Sequence, residues 1–439
     1  MSSPDSLIVL MDGERAGVLL PDNANHIFEY DDEYRHRIDA TPLSLGLPLA
    51  SRRHTGTALT NFLWGFLPDN DRVLDRWGAQ FGVSSRNPFG LLAHVGEDCA
   101  GAVQFVQVDR VATLAPGSIE WLTEADVAAR IRAIRTDSAA WLPTGATSGY
   151  HSLAGVQPKF ALARDGEKWG IPTGARPTTH IVKPNLSPFA DFDVNEHLCL
   201  AAANVLGLRA ARSEVVEFGG ERALVVERYD RLPGTNRRVH QEDMCQTLGV
   251  HPLRKYQSDH GPSVGDIGRA IREYSTARSD DDIMSFADAL AFSWLTMGTD
   301  AHAKNYSILL AGAQVRLAPL YDLSTALPYQ VSTPTKARPG ELQPSGLRLA
   351  MKIGGRYEAS ELRGSDWRLA AGDLGIDVNE LIGRVADLAS GVGDAFATAA
   401  ARSPVAATSP TATIIVDRVN RHAQRCRQWL VEKRSTKRR

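Results

Sequence analysis

Asp300, Asn305 and Asp322 are the residues whose types and spacing best suit chemistry. They lie in Thr299-Asp-Ala-His-Ala-Lys-Asn-Tyr-Ser307 and, shortly after, Ala318-Pro-Leu-Tyr-Asp322. An Asp five residues before an Asn, with a second Asp beyond, is the order in which protein kinases place a catalytic base and two metal ligands. A γ-phosphoryl group in transfer carries charge on several oxygens and needs hard cations, which take carboxylate and amide oxygens as ligands. Asn305 and Asp322 supply those oxygens for Mg2+, and Asp300 is suited to accept the proton of an acceptor hydroxyl. A lone Asp-x4-Asn arises by chance in a chain of this length, and a polar loop whose Asp and Asn merely cap turns is the competing reading.

The elements that would position these residues favour the chemical reading. Ser285 to Gly298 reads as an apolar helix ending at glycine, and Ser307–Leu310 with Gln314–Leu320 as two strands around a Gly312 turn. Upstream, Gly149-Tyr-His-Ser-Leu-Ala-Gly-Val-Gln-Pro-Lys159 follows a Pro/Gly/Ser-rich stretch and precedes the apolar run Phe160–Ala163. Small residues at Ser152, Ala154 and Gly155 let backbone N–H groups approach phosphates. Val156 stands where a Walker A loop needs Lys-Ser/Thr, so the segment reads as a nucleotide flap of another kind or as a plain hairpin turn. His180-Ile-Val-Lys-Pro184 is a short β-branched strand with one lysine pointing inward or outward. Beyond it Glu196 opens the helical pattern Asn195–Gly207. Lys183 and Glu196 fit the phosphate-holding lysine and its helix glutamate, although strand lysines commonly sit in solvent and early helix glutamates commonly complement the helix dipole. Ala223-Leu-Val-Val-Glu-Arg-Tyr-Asp-Arg231 is an apolar strand that turns polar. Its end either presents backbone groups of Glu227, Arg228 and Tyr229 to an adenine edge or simply leaves the core.

These motifs resemble the HipA family of bacterial serine/threonine kinase toxins. The resemblance runs through Thr41–Pro48, Asn61–Asp69, Ser152–Lys159, Ile181–Pro184, Val226–Arg231, Gln241–Gln246, Asp300–Asn305, Tyr321-Asp322 and Leu349–Gly355. It implies an α+β, bilobal protein-kinase-like (PI3/4-kinase-like) fold with a small N-terminal α+β domain and a mainly helical C-terminal lobe. It also implies ATP and Mg2+ as cofactors and a protein serine or threonine as acceptor. By that similarity Asp300 is the proton acceptor, and Asn305 and Asp322 hold magnesium. Ser152, Ala154, Gly155, Val156, Gln157 and Lys159 form the phosphate loop, Lys183 contacts the phosphates, and His302, Lys304 and Tyr321 flank the nucleotide. Ser152 is then an autophosphorylation site, where nearly two added negative charges repel ATP and drive the loop out. The implied partners are a small HipB-like DNA-binding antitoxin, operator DNA mainly through that antitoxin, and a second copy in a dimeric complex. The implied targets are translation components such as aminoacyl-tRNA synthetases. A small-molecule phosphotransferase and a noncatalytic antitoxin-binding subunit are the alternatives.

Composition agrees with a large enzyme. The 439 residues carry 49 Lys and Arg against 51 Asp and Glu, so net charge gives no call for nucleic acid. Cys99, Cys199, Cys245 and Cys426 show no Cys-x-x-Cys pairing, which favours reduced thiols. No segment is apolar for the ~20 residues of a membrane helix, and the N-terminus does not read as a signal peptide, so a cytoplasmic protein is expected. The expected domains are 1–116 (α+β, with a helical stretch from Thr57 to Trp77), 117–239 (nucleotide-binding lobe, with a helix near Ala125–Arg135) and 240–439 (helical lobe). Gln330–Ser345 reads as a solvent-facing loop. Glu432–Arg439 reads as a basic tail, disordered or contacting phosphate.

Overall fold

The computed structural model describes residues 4–22, 25–114, 116–140, 151–186, 188–276, 278–331, 339–343 and 347–432. The expected loop start at Gly149 and Tyr150, most of the Gln330–Ser345 segment, and the tail beyond Glu432 lie outside them. The chain divides into two compact units. One comprises Met1–Leu186, Val216–Arg254 and Ser307–Ala318, the other Ser187–Val215, Lys255–Tyr306 and Pro319–Arg439. The segment Val216–Arg254 of the first unit runs through the boundary expected at 239/240.

In the first unit β1 (Leu7–Met11), β2 (Glu14–Asp22), β3 (Asn25–Tyr30), β4 (Arg53–Thr55) and β5 (Val103–Gln107) form a sheet in the order β4-β3-β2-β1-β5. β1 is apolar throughout because both its faces are covered. Leu7, Val9 and Met11 join the main core, while Ile8 and Leu10 pack with Val106 and Leu114. The expected helix from Thr57 to Trp77 is instead two helices, Thr57–Trp64 and Asp71–Phe81. Gly65 ends the first, and the Asn70 side chain caps the second by accepting from the N–H groups of Arg72 and Val73.

The second sheet uses β6 (Ser118–Leu122), β7 (Phe160–Asp165), β8 (Lys168–Thr173), β9 (His180–Pro184), β10 (Ser213–Phe218) and β11 (Glu221–Glu227), ordered β10-β11-β9-β7-β8-β6. The helix Glu124–Thr136 starts at a Thr123/Asp126 capping box and lays Val127, Ile131 and Ile134 on Phe160, Leu162, Val182 and Val225. A third sheet, β12 (His240–Asp243), β13 (Ser307–Ala311) and β14 (Gln314–Leu317), contains the expected hairpin around Gly312.

Side chains of Tyr30, His240 and Glu242 are among those that tether the segment Thr41–Pro48. The Tyr30 hydroxyl donates to the Leu47 carbonyl (2.7 Å) and accepts from the Leu43 N–H (2.6 Å). His240 Nε2 donates to the Leu43 carbonyl (2.9 Å), and the Glu242 carboxyl accepts from the Leu45 N–H (3.0 Å). Burial pushes the Glu242 carboxyl up to about 7, against the hydrogen bonds from Ser44 and Leu45 that oppose the shift. Since the folded value lies above the unfolded one, this group's stabilising contribution is full below about pH 4.5 and is lost as pH rises to 7. Glu242→Gln, neutral at every pH, is therefore expected to be more stable than wild type at pH 8, by about 2 kcal/mol, and equal to it near pH 4.5. Urea titrations at the two pH values check this, and a variant less stable at pH 8 would refute the assignment.

The second unit is built on helices Phe192–Val205, Val264–Tyr274, Ser279–Thr296, Gly364–Leu374, Val378–Arg402 and Pro410–Val431, with a hairpin of β15 (Arg348–Ile353) and β16 (Arg356–Glu358). Ser279–Thr296 is buried from Phe286 to Thr296 and is the central helix. It starts earlier than expected because Asp280, Asp281 and Asp282 complement the dipole in its first turn. It ends at Thr296, where Met297 takes the left-handed conformation (φ 53°) and the Gly298 N–H reaches back to the Ser293 carbonyl (2.7 Å). No described helix is long and apolar enough to cross a membrane, and all four cysteines are buried free thiols.

Candidate functional site

In the first unit the segment Ser152–Lys159, expected to form a phosphate loop, is docked. Ser152 is buried, with its hydroxyl donating to the Phe66 carbonyl (2.6 Å) and its N–H to the Asp98 carbonyl (3.0 Å). The Asp69 N–H donates to the Gly155 carbonyl (3.0 Å), and Lys159 Nζ closes the loop on the Ala154 carbonyl (2.8 Å). Gly155 has φ +104°, and a Cβ there would lie 2.6 Å from Lys159 Nζ, so the turn needs glycine. Val156 is exposed at the tip and Gln157 half-buried. The Asn61–Asp69 motif thus has a visible task, since its turn receives the loop. The sequence left the loop's position open. Here it sits with Ser152 inward, so its hydroxyl meets a phosphoryl donor only after the docking bonds break.

Lys183 is buried on β9, opposite Leu224 of β11. At the strand end Glu227–Tyr229, the Arg228 N–H donates to the Thr179 carbonyl (2.9 Å), and its carbonyl accepts from the Arg231 N–H (3.3 Å) with a second lone pair left over. Its side chain is committed as well. Arg228 pairs with Asp230 (2.8 Å) and donates to Thr178 Oγ1 and the Cys99 carbonyl, while Arg231 pairs with Asp98 (2.8 Å) and Asp230 (2.9 Å). Asp98 also accepts from the Thr178 N–H (3.0 Å) and hydroxyl (2.6 Å). The polar end of the motif is therefore a buried ion network. The backbone of Glu227, Arg228 and Tyr229 remains the candidate, with the Tyr229 hydroxyl donating to the Gln241 side chain.

In the second unit the Asp-x4-Asn spacing has a geometric reason. The Asp300 carbonyl accepts both the His302 N–H (2.8 Å) and the Asn305 side-chain N–H (2.7 Å), and the Asn305 N–H returns to the His302 carbonyl (2.9 Å). This closes a tight turn with Lys304 and Asn305 buried and the Asp300 carboxylate exposed. With its amide nitrogen engaged, Asn305 has its amide oxygen as the atom that could hold a cation. The Tyr321 hydroxyl donates to the Lys304 carbonyl (2.6 Å), tying the segment that carries Asp322 to the same turn. Asp322 has φ 52°, a left-handed conformation that is costly outside glycine and collects at functional sites. On the other side, the Asn195 amide pairs with the backbone of Thr325 in both directions (2.8 and 2.9 Å). Glu196 follows it, buried in the second turn of a helix that starts at Phe192 rather than at Glu196 as the sequence pattern suggested.

Tyr256 and Asn195 act on the site without having been assigned roles from sequence. Tyr256 donates its hydroxyl to Asp300 Oδ1 (2.5 Å) and lies edge-on to the His302 ring (4.8 Å between centroids). No local pattern marks a tyrosine 44 residues from its partner. The donor set suits a nucleotide-bound Mg2+, which takes one or two protein oxygens with phosphate and water completing the shell. Among the described residues no group of three or more His, Cys, Asp or Glu forms a dedicated cage. Bound there, such an ion would neutralise charge on the phosphate oxygens while Asp300 accepts the proton of an attacking hydroxyl.

Comparison with known proteins agrees with this layout. Residues 7–106 match the HipA N-terminal domain, and residues 151–396 the HipA-like C-terminal domain. Y4mE of Sinorhizobium fredii, whose name proposes a kinase, is 32% identical over 396 residues, covering 89% of this chain and 91% of its own length. The serine/threonine-protein kinase toxin HipA of Shewanella oneidensis is 34% identical over 306 residues, 66% of this chain and 68% of that one. HipA in the Shewanella oneidensis complex of HipA, HipB and operator DNA superposes with a TM-score of 0.78 at 26% identity, covering 95% of this chain and 97% of that one. With both family domains matched in order on a kinase-like two-lobe fold, the chain belongs to the HipA family and is a kinase.

Proposed function

We propose that this kinase transfers the γ-phosphate of Mg-ATP to a serine or threonine of a protein and acts as the toxin of a toxin–antitoxin module. The observation that carries the catalytic part is the turn 300–305, which presents one exposed carboxylate beside an amide oxygen and a strained aspartate segment. In this reading Asp300 accepts the proton, and Asn305 and Asp322 hold Mg2+. Lys183 contacts the phosphates with Glu196 as its partner, and Ser152, Ala154, Gly155, Val156, Gln157 and Lys159 cover the nucleotide. Backbone groups of Glu227, Arg228 and Tyr229 meet the adenine, and His302, Lys304 and Tyr321 flank the nucleotide. The module reading is supported by the structural relative solved with HipB and operator DNA. A HipB-like antitoxin is the proposed partner, with operator DNA contacted mainly through it and a dimer in the complex. A translation component such as an aminoacyl-tRNA synthetase is the proposed target. The proposed domain division of 1–116, 117–239 and 240–439 belongs to the same reading.

Autophosphorylation at Ser152 would silence the enzyme. The hydroxyl's bond to the Phe66 carbonyl must break first, which costs about 1 kcal/mol. A phosphate carrying nearly two charges could not return to that buried position. Incubation of the chain with radiolabelled ATP tests this. Label on Ser152, progressive loss of transfer to other proteins, and absence of both in Ser152→Ala are expected. Silencing that persists in Ser152→Ala would refute the mechanism.

A further inference from the structure

We infer that Tyr256 is a positioning residue for the transfer reaction, holding the Asp300 carboxylate in the orientation that receives the acceptor proton. The inference rests on Asp300 being the base. Asp300 is exposed, and the turn fixes its backbone by hydrogen bonds: the carbonyl takes those from His302 and Asn305, while His302 Nε2 stands 3.9 Å from Oδ1, beyond hydrogen-bond distance. An exposed aspartate with a free side-chain torsion spreads over several rotamers. The hydroxyl of Tyr256, 2.5 Å from Oδ1, selects one of them, so that Oδ2 is left for the incoming hydroxyl.

Tyr256 is itself anchored. Its carbonyl accepts from the Asp259 N–H (3.0 Å) and the Gly261 N–H (2.9 Å), and its ring stands edge-on to His302. The preceding residue joins the same turn, since the Lys255 carbonyl accepts the Ala303 N–H (3.2 Å). The tyrosine and the turn it orients are therefore one rigid piece, and a base held within a narrow angular range is what a near-attack geometry requires. Gln257, next in the chain, accepts the Lys352 N–H (2.7 Å) and fixes the far side of the segment to β15.

The test is Tyr256→Phe in the full chain, measured as ATP turnover alongside Asp300→Asn and the double variant. The ring and its contact with His302 remain, so the melting temperature and KM for ATP are expected to stay at wild-type values while kcat falls about tenfold. In the double variant the phenylalanine should add nothing to the loss from Asp300→Asn, because both act through one carboxylate. A wild-type kcat in Tyr256→Phe, a raised KM with kcat unchanged, or multiplicative losses in the double variant would overturn the inference and leave Asp300 as base. Undiminished turnover in Asp300→Asn, or no turnover by wild type, would overturn the underlying assignment and this inference with it.

Discussion

Asp300→Asn is expected to lower γ-phosphate transfer about 10³-fold, the largest catalytic loss of any single substitution in the turn. The substitution separates chemistry from structure unusually well. The turn is closed through the Asp300 carbonyl, which the variant keeps, so the His302 and Asn305 bonds persist. An amide oxygen at position 300 can still accept from the Tyr256 hydroxyl. What disappears is the capacity to take a proton. Unfolding temperature and the rise in that temperature on adding Mg-ATP should both match wild type, while incorporation of radiolabel into the chain and into extract proteins falls to background. Retention of more than a tenth of the wild-type rate would exclude Asp300 as the base. Asn305→Ala would not be as clean, because it removes a ligand atom and the loop closure together.

Segments whose identity is local were readable from sequence. The strand His180–Pro184 and the hairpin after the 300–305 turn follow from β-branched runs and a glycine turn. The roles proposed for Asp300, Asn305 and Asp322 rest on the chemistry of phosphoryl transfer. What stayed hidden depends on pairs distant in sequence. Arg228 and Arg231 look like a polar strand exit because charged residues are rarely buried. They are buried here because Asp98, 133 residues from Arg231, is brought against them by the fold. Ser152 meets Phe66 across 86 residues, and Asp300 meets Tyr256 across 44. Nothing in the local spacing of either partner encodes such a meeting. The split between the helices Thr57–Trp64 and Asp71–Phe81, by contrast, has a local signal that the single expected helix overlooked: Pro68-Asp-Asn70 is a turn followed by an N-cap.

Asp98→Ala is expected to be the most destabilising single substitution in the first unit, removing about 3–5 kcal/mol. Two carboxylates, Asp98 and Asp230, face three buried guanidinium groups, Arg228, Arg231 and Arg238. Deleting one carboxylate leaves the guanidinium groups desolvated with a single counter-charge, and nothing else in the cluster can neutralise them. Burial alone would push the Asp98 carboxyl up, but Arg231, Arg228, Arg238 and the Thr178 hydroxyl reverse this and hold it well below the usual carboxylate range. A depressed value contributes stability above the unfolded value of about 3.9 and loses it as pH falls further. Wild type and variant should therefore differ most near neutral pH and converge under acid conditions. The same residue's carbonyl accepts the Ser152 N–H, so loosening the network should also release the phosphate loop. Faster proteolytic cutting between His151 and Lys159 in a milder variant, Asp98→Asn, would report that release. A loss of stability below 1 kcal/mol in Asp98→Ala at pH 7 would mean the network is not what holds this part of the chain together.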